Sequence, residues 1–154
     1  MNWVEKTKSL IERGGIEAQL IEHKEWGKDS RVVSAALKVP LSHVLKAVVC
    51  FSSNDPVLAL ICGDDRLDLA RLSSVTHATV RLAKTKEVEK LGFSIGGVPA
   101  IGSGLKTYLD RKVLERSYVV GSAGSPYLGV KLKPSDLARL NDATVADLSE
   151  RNEP

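Results

Sequence analysis

The chain has 154 residues, 43% hydrophobic and 27% charged, with a formal net charge of +3; this is the make-up of a single globular domain, residues 1–154, able to bury roughly two thirds of its unfolded surface. Aromatic residues are only 5%, so the core has to be aliphatic, and the mild basicity argues against a dedicated non-specific DNA binder, whose binding domain usually has a pI above about 9. No apolar run approaches the roughly 18 residues that span a membrane, and the charged, amphipathic start MNWVEKTKSLIERGG is unlike a signal peptide, so a cytoplasmic protein is expected.

In chain order, residues 2–13 set Trp3, Thr7, Leu10 and Ile11 on one helical face, and Gly14-Gly15 closes the segment. Residues 16–22 read as a strand. Ser30 is placed to cap a helix, RVVSAALKV, that Pro40 stops. Strands 44–52 and 57–62 flank Asn54-Asp55-Pro56, a short connection that predicts an antiparallel hairpin. GDDRLDLARLSSV turns into a short helix, in which Asp64, Asp65 and Asp68 favour a helix start over a metal site. A strand at 78–83, a helix at 84–91, and strands at 106–109, 117–121 and 128–132 follow. PSDLARL is a helix with Pro134 in its first turn, and a short helix near ATVADLSE closes the chain. Strands and helices mix without strict alternation, which predicts an α+β fold: a central mixed, largely antiparallel and strongly curved sheet with helices around it.

Cys50 and Cys62 each sit in an apolar run and read as buried free thiols, although neighbouring strands would allow a disulfide. With no CxxC pair and with His23, His43 and His77 scattered, a structural zinc site is not expected.

Two features carry chemistry. In LSHVLKAVVCF, strand alternation puts Leu45, Ala47, Val49 and Phe51 on one face and Val44, Lys46, Val48 and Cys50 on the other. Both faces are apolar, so the Lys46 ammonium needs a partner or a cleft; the alternative is an edge-strand lysine that snorkels to water. The second feature is GFSIGGVPAIGSG, residues 92–104, which holds five of the 12 glycines. Ile95, Val98, Pro99 and Ile101 interleave with them, as in a packed loop and not a solvated linker. Bare backbone amides in such a loop can bind an anion or a developing oxyanion. Gly92 to Gly96 fits GxSxG, but a helix precedes it and every histidine lies before Ser94, contrary to a hydrolase elbow. The segment from Gly97 lacks the P-loop lysine, and Thr107 breaks a GxGxxG reading from Gly102.

Taken in order, these elements resemble the YbaK-type aminoacyl-tRNA deacylases and the editing domain of prolyl-tRNA synthetase. The resemblance runs from His23 to about Leu140. It rests on Ser30 before VVSAALKVP, Lys46 in HVLKAVVCF, Gly63-Asp64-Asp65-Arg66-Leu67-Asp68-Leu69, the loop from Gly96 to Gly102, Asp110 after KTYL, and the turn VVGSAG that contains Gly121 and Ser122. The family usually has threonine at the Ser30 position and proline four residues after its loop glycine. Here that place is Ala100, with proline one step earlier at Pro99.

The resemblance implies hydrolysis of the ester between a wrong amino acid and the 3′ ribose of tRNA, first of all tRNA for proline carrying alanine or cysteine. Such editing is needed because one methylene in a binding pocket is worth only about 1–3 kcal/mol. It implies that Lys46 grips the terminal phosphate or the ester, that amides around Gly96, Gly97 and Gly102 hold the oxyanion, and that Asp110 holds the α-amino group or orients water. Ser30, Val98, Pro99, Ala100, Ile101, Gly121 and Ser122 would shape the substrate pocket. No cofactor or metal is expected. The partner is the acceptor end of a mischarged tRNA, with prolyl-tRNA synthetase as a second, and neither DNA nor membrane. Lysines and arginines at 84, 86, 90, 106, 111, 112, 131 and 133 could meet the acceptor stem or form a solvated face. A binding module of the same fold that catalyses nothing is the competing reading.

Overall fold

The computed structural model describes residues 1–150; residues 151–154 of the expected domain lie outside the described residues. Helix α1 spans Trp3–Gly14, with Asn2 accepting the Glu5 N–H at its start and Gly15 in the left-handed conformation at its end. Strand β1 is Ala18–Glu22. Helix α2 is Ser30–Leu37, but its cap is Asp29, whose carboxylate accepts the Arg31 N–H. Ser30 is therefore the first helical residue and not the cap, because aspartate one position earlier supplies the acceptor.

Strands β2, Leu45–Ser52, and β3, Asp55–Cys62, form the expected antiparallel hairpin, with Lys46 opposite Ile61. Helix α3, Leu69–Thr76, is capped by Asp68, which accepts the N–H groups of Ala70 and Arg71. Strand β4, Val80–Leu82, and helix α4, Thr85–Lys90, lead to the glycine loop. Strands β5, Lys106–Asp110, β6, Val119–Ser125, and β7, Leu128–Leu132, precede helix α5, Pro134–Leu140. The last segment differs from expectation. Thr144–Ala146 is a strand, β8, which pairs in parallel with β5, and Leu67 bridges Ser149 beyond it. A few residues of weak helical pattern yield to an open sheet edge and to the β-branched Thr144 and Val145.

The mixed α/β class holds, and the sheet is in two parts. One has five strands in the order β4-β2-β3-β5-β8, antiparallel at β4-β2-β3 and parallel at β3-β5-β8. The other has three antiparallel strands in the order β1-β7-β6. A parallel bridge between Val44 and Val120 joins them. The larger core lies between the sheets and takes Leu45 and Val49 from one face of β2. The smaller core, which includes Leu72 of α3, takes Cys50 from the other. Both faces of β2 are covered, and that is why both are apolar. Both cysteines are free and buried. No helix among the described residues is long and apolar enough to cross a membrane.

Candidate functional site

Strand β4 pairs with β2 only over Cys50–Ser52. The edge of β2 before Cys50 therefore has no strand beside it until the bridge at Val44, and a cavity of about 300 Å³ opens in this gap. Its walls are aliphatic, with Val33, Leu45, Val49, Val98, Val120 and Leu128 among them. The polar edge of β2 also faces it. The Val49 carbonyl accepts the Ala83 N–H across that edge at 3.0 Å, so by two-residue alternation the N–H and C=O of Ala47 face the same way. Ala47 lines the cavity.

Three loops close the mouth. A Cβ on Gly27 would stand 2.7 Å from the Pro126 carbonyl oxygen and 2.8 Å from that of Gly96. One on Gly96 would stand 2.7 Å from the Lys28 nitrogen. Such close main-chain approach requires glycine, and Gly96 also has φ +82°. Gly27, Lys28, Gly96 and Pro126 all line the cavity.

The loop's backbone bonds can be counted individually. The Gly97 N–H donates to Ser94 O within a turn, and the Ala100 N–H donates to Ser122 O of β6. The Ala100 carbonyl accepts Asn141 Nδ2 at 2.8 Å, which fixes that end against α5. Among the described residues, the N–H groups of Gly96 and Val98 donate to no protein acceptor. Both residues line the cavity, and Val98 is buried. A buried amide is rarely left unpaired, so the Val98 donor calls for a ligand, and the half-buried Gly96 donor beside it is unused by the protein. This corrects the expectation for Gly97, whose amide is already used, and for Gly102, which packs on Leu10 and Lys6 of α1 and does not line the cavity.

Lys46 lines the cavity and is half-buried; its Nζ donates to the Asp65 carbonyl at 2.7 Å. An ammonium carries three N–H groups, so two remain. The turn that receives it is held by Lys112 Nζ, 3.4 Å from the Asp65 carboxylate. Burial pushes the Cys62 thiol up, only partly offset by the Arg116 guanidinium. Burial raises Cys50 to about 11, and burial together with Arg116 holds His43 below the ordinary histidine range. Both thiols are therefore protonated at neutral pH, and neither is an activated nucleophile.

Of the residues expected in the site, the cavity brings together Ser30, Lys46, Gly96, Val98, Ala100, Gly121 and Ser122. Pro99 and Ile101 are buried elsewhere in the loop and do not line it. Asp110 also stands apart. It is 2% exposed, and its carboxylate accepts the Leu148 N–H at 2.9 Å and the Ser149 hydroxyl. It ties the C-terminal segment to β5 and does not cap the following turn with its side chain. Asp110→Ala leaves the Leu148 donor unpaired, with an expected cost of about 1–3 kcal/mol. Denaturant unfolding should show that loss, while kcat/KM of the folded variant stays nearly unchanged.

Sequence reading missed His23, Gly27, Lys28, Pro126 and the Ala47 backbone. Their loops are irregular and far apart in sequence; the one available signal was Gly27 beside a tryptophan.

A family model described as "Aminoacyl-tRNA editing domain" matches residues 24–140. An Enterococcus faecalis protein named as a candidate Cys-tRNA(Pro)/Cys-tRNA(Cys) deacylase is 25% identical over 148 residues, 88% of this chain and 90% of its own length. An Escherichia coli protein named multifunctional Ser/Thr-tRNA deacylase ProXp-y is 29% identical, over 86% of this chain and 84% of its own. The chain spans 16–21% of the length of three proline–tRNA ligases that it also matches. A crystal structure of a candidate trans-editing enzyme for prolyl-tRNA synthetase superposes with a TM-score of 0.85 at 27% identity, covering 98% of this chain and 99% of that one.

Proposed function

The chain belongs to the aminoacyl-tRNA editing domain family, and on that premise we propose that it is a trans-editing deacylase that frees mischarged tRNA of its amino acid in the cavity beside Lys46. The observation that carries this reading is one largely aliphatic cavity lined by Lys46 on its β2 wall, Lys28 at its mouth and two unpartnered amides, those of Gly96 and Val98. An aminoacyl ester is already activated, so catalysis needs positioning and charge stabilisation above all. Water adds to the carbonyl carbon, and the carbonyl oxygen becomes an oxyanion that the amides of Gly96 and Val98 receive. The bond from that carbon to the ribose oxygen then breaks. The ribose oxygen leaves with a proton, and the free amino acid and tRNA result. Lys46 offers its two remaining N–H groups to the terminal phosphate or the ester oxygen. The Ala47 carbonyl is placed to accept the α-ammonium, the role that sequence had given to Asp110.

The small aliphatic cavity suits a small side chain, and alanine or cysteine on tRNA for proline is the proposed substrate, with prolyl-tRNA synthetase as the source of the error. The experiment is incubation with tRNA charged with alanine, cysteine, serine, threonine or proline, following loss of the ester. Release of a small non-cognate amino acid supports the reading. Retention without release supports the non-catalytic module.

Gly121 bears on which amino acid fits. A Cβ there would stand 2.8 Å from the Ala100 Cβ and 3.1 Å from Leu45 Cδ2. Ala100 is held through both its backbone N–H and C=O and cannot retreat freely. Gly121→Ala should therefore narrow the cavity, at a cost of about 1–3 kcal/mol from overpacking. Competition between charged tRNAs should show greater loss for the larger amino acids than for alanine.

A further inference from the structure

Among the described residues two aromatic side chains are exposed, Trp26 at 47% and Tyr127 at 51%. Both stand at the same place. Gly27, next to Trp26, and Pro126, next to Tyr127, line the cavity mouth with their backbones in contact. The His23 N–H donates to the Tyr127 carbonyl at 3.0 Å, binding the two loops together. Trp26 Nε1 donates to the Ile95 carbonyl of the glycine loop at 2.9 Å. The indole edge is thus fixed while the side chain remains half in water. Lys28 Nζ lies over one face of that ring, 5.3 Å from its centroid, so a base would stack on the other face with a cation close by. In a chain with so few aromatics, two exposed rings, each one residue from the lining of the same opening, call for a ligand with flat faces.

We infer that Trp26 and Tyr127 form a stacking platform for the unpaired bases at the 3′ end of the RNA, with Lys28 beside the phosphates between them. The inference rests on the deacylase reading and adds how the nucleic acid is held. Ring faces accept any base, while a lysine neutralises backbone charge, so the pair anchors a single strand without reading its sequence. An anchor of this kind acts on binding more than on chemistry: KM should rise and kcat should hold.

The test uses the full chain with two probes: an unacylated tRNA transcript ending in CCA, and the same transcript lacking its last three nucleotides. The intact transcript should bind about tenfold or more tighter than the trimmed one. Trp26→Ala and Tyr127→Ala should shrink that difference, leaving affinity for the trimmed transcript as it was, and Trp26→Phe should retain most of it. Both positions are exposed, so folding should survive, and thermal melting will check it. On mischarged tRNA Tyr127→Ala, whose side chain does not anchor the glycine loop, should raise KM about tenfold, with kcat within about twofold. A Trp26→Ala variant that keeps the wild-type preference for the CCA end overturns the platform and leaves the rings as a protein-contact surface. Failure of the wild type to deacylate any charged tRNA would instead strike the deacylase reading, and the two-transcript comparison still judges the platform.

Discussion

Replacing Lys46 with alanine should lower kcat/KM on mischarged tRNA by about a hundredfold or more, the range seen when one preorganised donor is removed from a stabilised oxyanion or phosphate. The side chain reaches Asp65 O and lies along a cavity whose other walls are mostly aliphatic. In such surroundings a charge acts at low effective dielectric, so losing it costs more than losing a surface lysine. Stability should move far less, because the residue is only half-buried and its one bond is to a turn carbonyl that water can reach in its absence. Lys46→Arg sharpens the test. A guanidinium keeps the charge, but its planar fork replaces a compact group with three rotatable donors, so a loss of at least about tenfold is expected. Single-turnover rates on tRNA charged with alanine or cysteine, beside melting curves, separate the two effects. Near wild-type rates in both variants would remove Lys46 from the mechanism.

The parts of this arrangement differ in how far they could be read from the chain. The β2–β3 hairpin was legible because two apolar runs flank a short polar connection, but its turn was not: the turn is Ser53-Asn54, and Asp55 and Pro56 already pair with Ser52 and Phe51 in the ladder. The position of Lys46 was legible for a related reason: a cation within a strand apolar on both faces has few places to go. The glycine loop was legible as a packed loop, but not in its wiring. Gly96, Gly97 and Gly102 are the same residue, yet one has an unpartnered amide, one is closed in a turn with Ser94, and one makes room for Leu10. Only the three-dimensional pairing and placement of each amide, at the cavity for Gly96 and against α1 for Gly102, tell them apart. Asp110 failed similarly. A carboxylate after a strand can face a ligand or its own chain, and here the latter half of the question is settled by Leu148 and Ser149, nearly forty residues away. The last strand was lost because Thr144–Ala146 has no partner within its own neighbourhood; β5 supplies it.

The same wiring makes Gly96→Ala the other strong perturbation, and it comes with an internal control. Gly96 and Gly104 have nearly equal φ, +82° and +80°. Alanine at either position meets the same penalty for a left-handed conformation, roughly 1–2 kcal/mol. They differ in what surrounds them. A Cβ at Gly104 has nothing within 4 Å, whereas one at Gly96 would stand 2.7 Å from Lys28 N and 3.1 Å from Lys28 Cα and Gly27 C. All three are main-chain atoms and cannot swing aside. Gly96→Ala must therefore push the loop off the 27–28 segment, carrying the amides of Gly96 and Val98 away from the cavity. A donor displaced by about 1 Å can cost about a hundredfold in rate. The expected pattern is a fall of that size in kcat/KM for Gly96→Ala, with a lower melting temperature. Gly104→Ala should show the smaller stability loss and almost full activity. If the two variants instead lose activity equally, backbone strain alone accounts for both, and the loop contact at Gly96 has no part in holding the oxyanion donors.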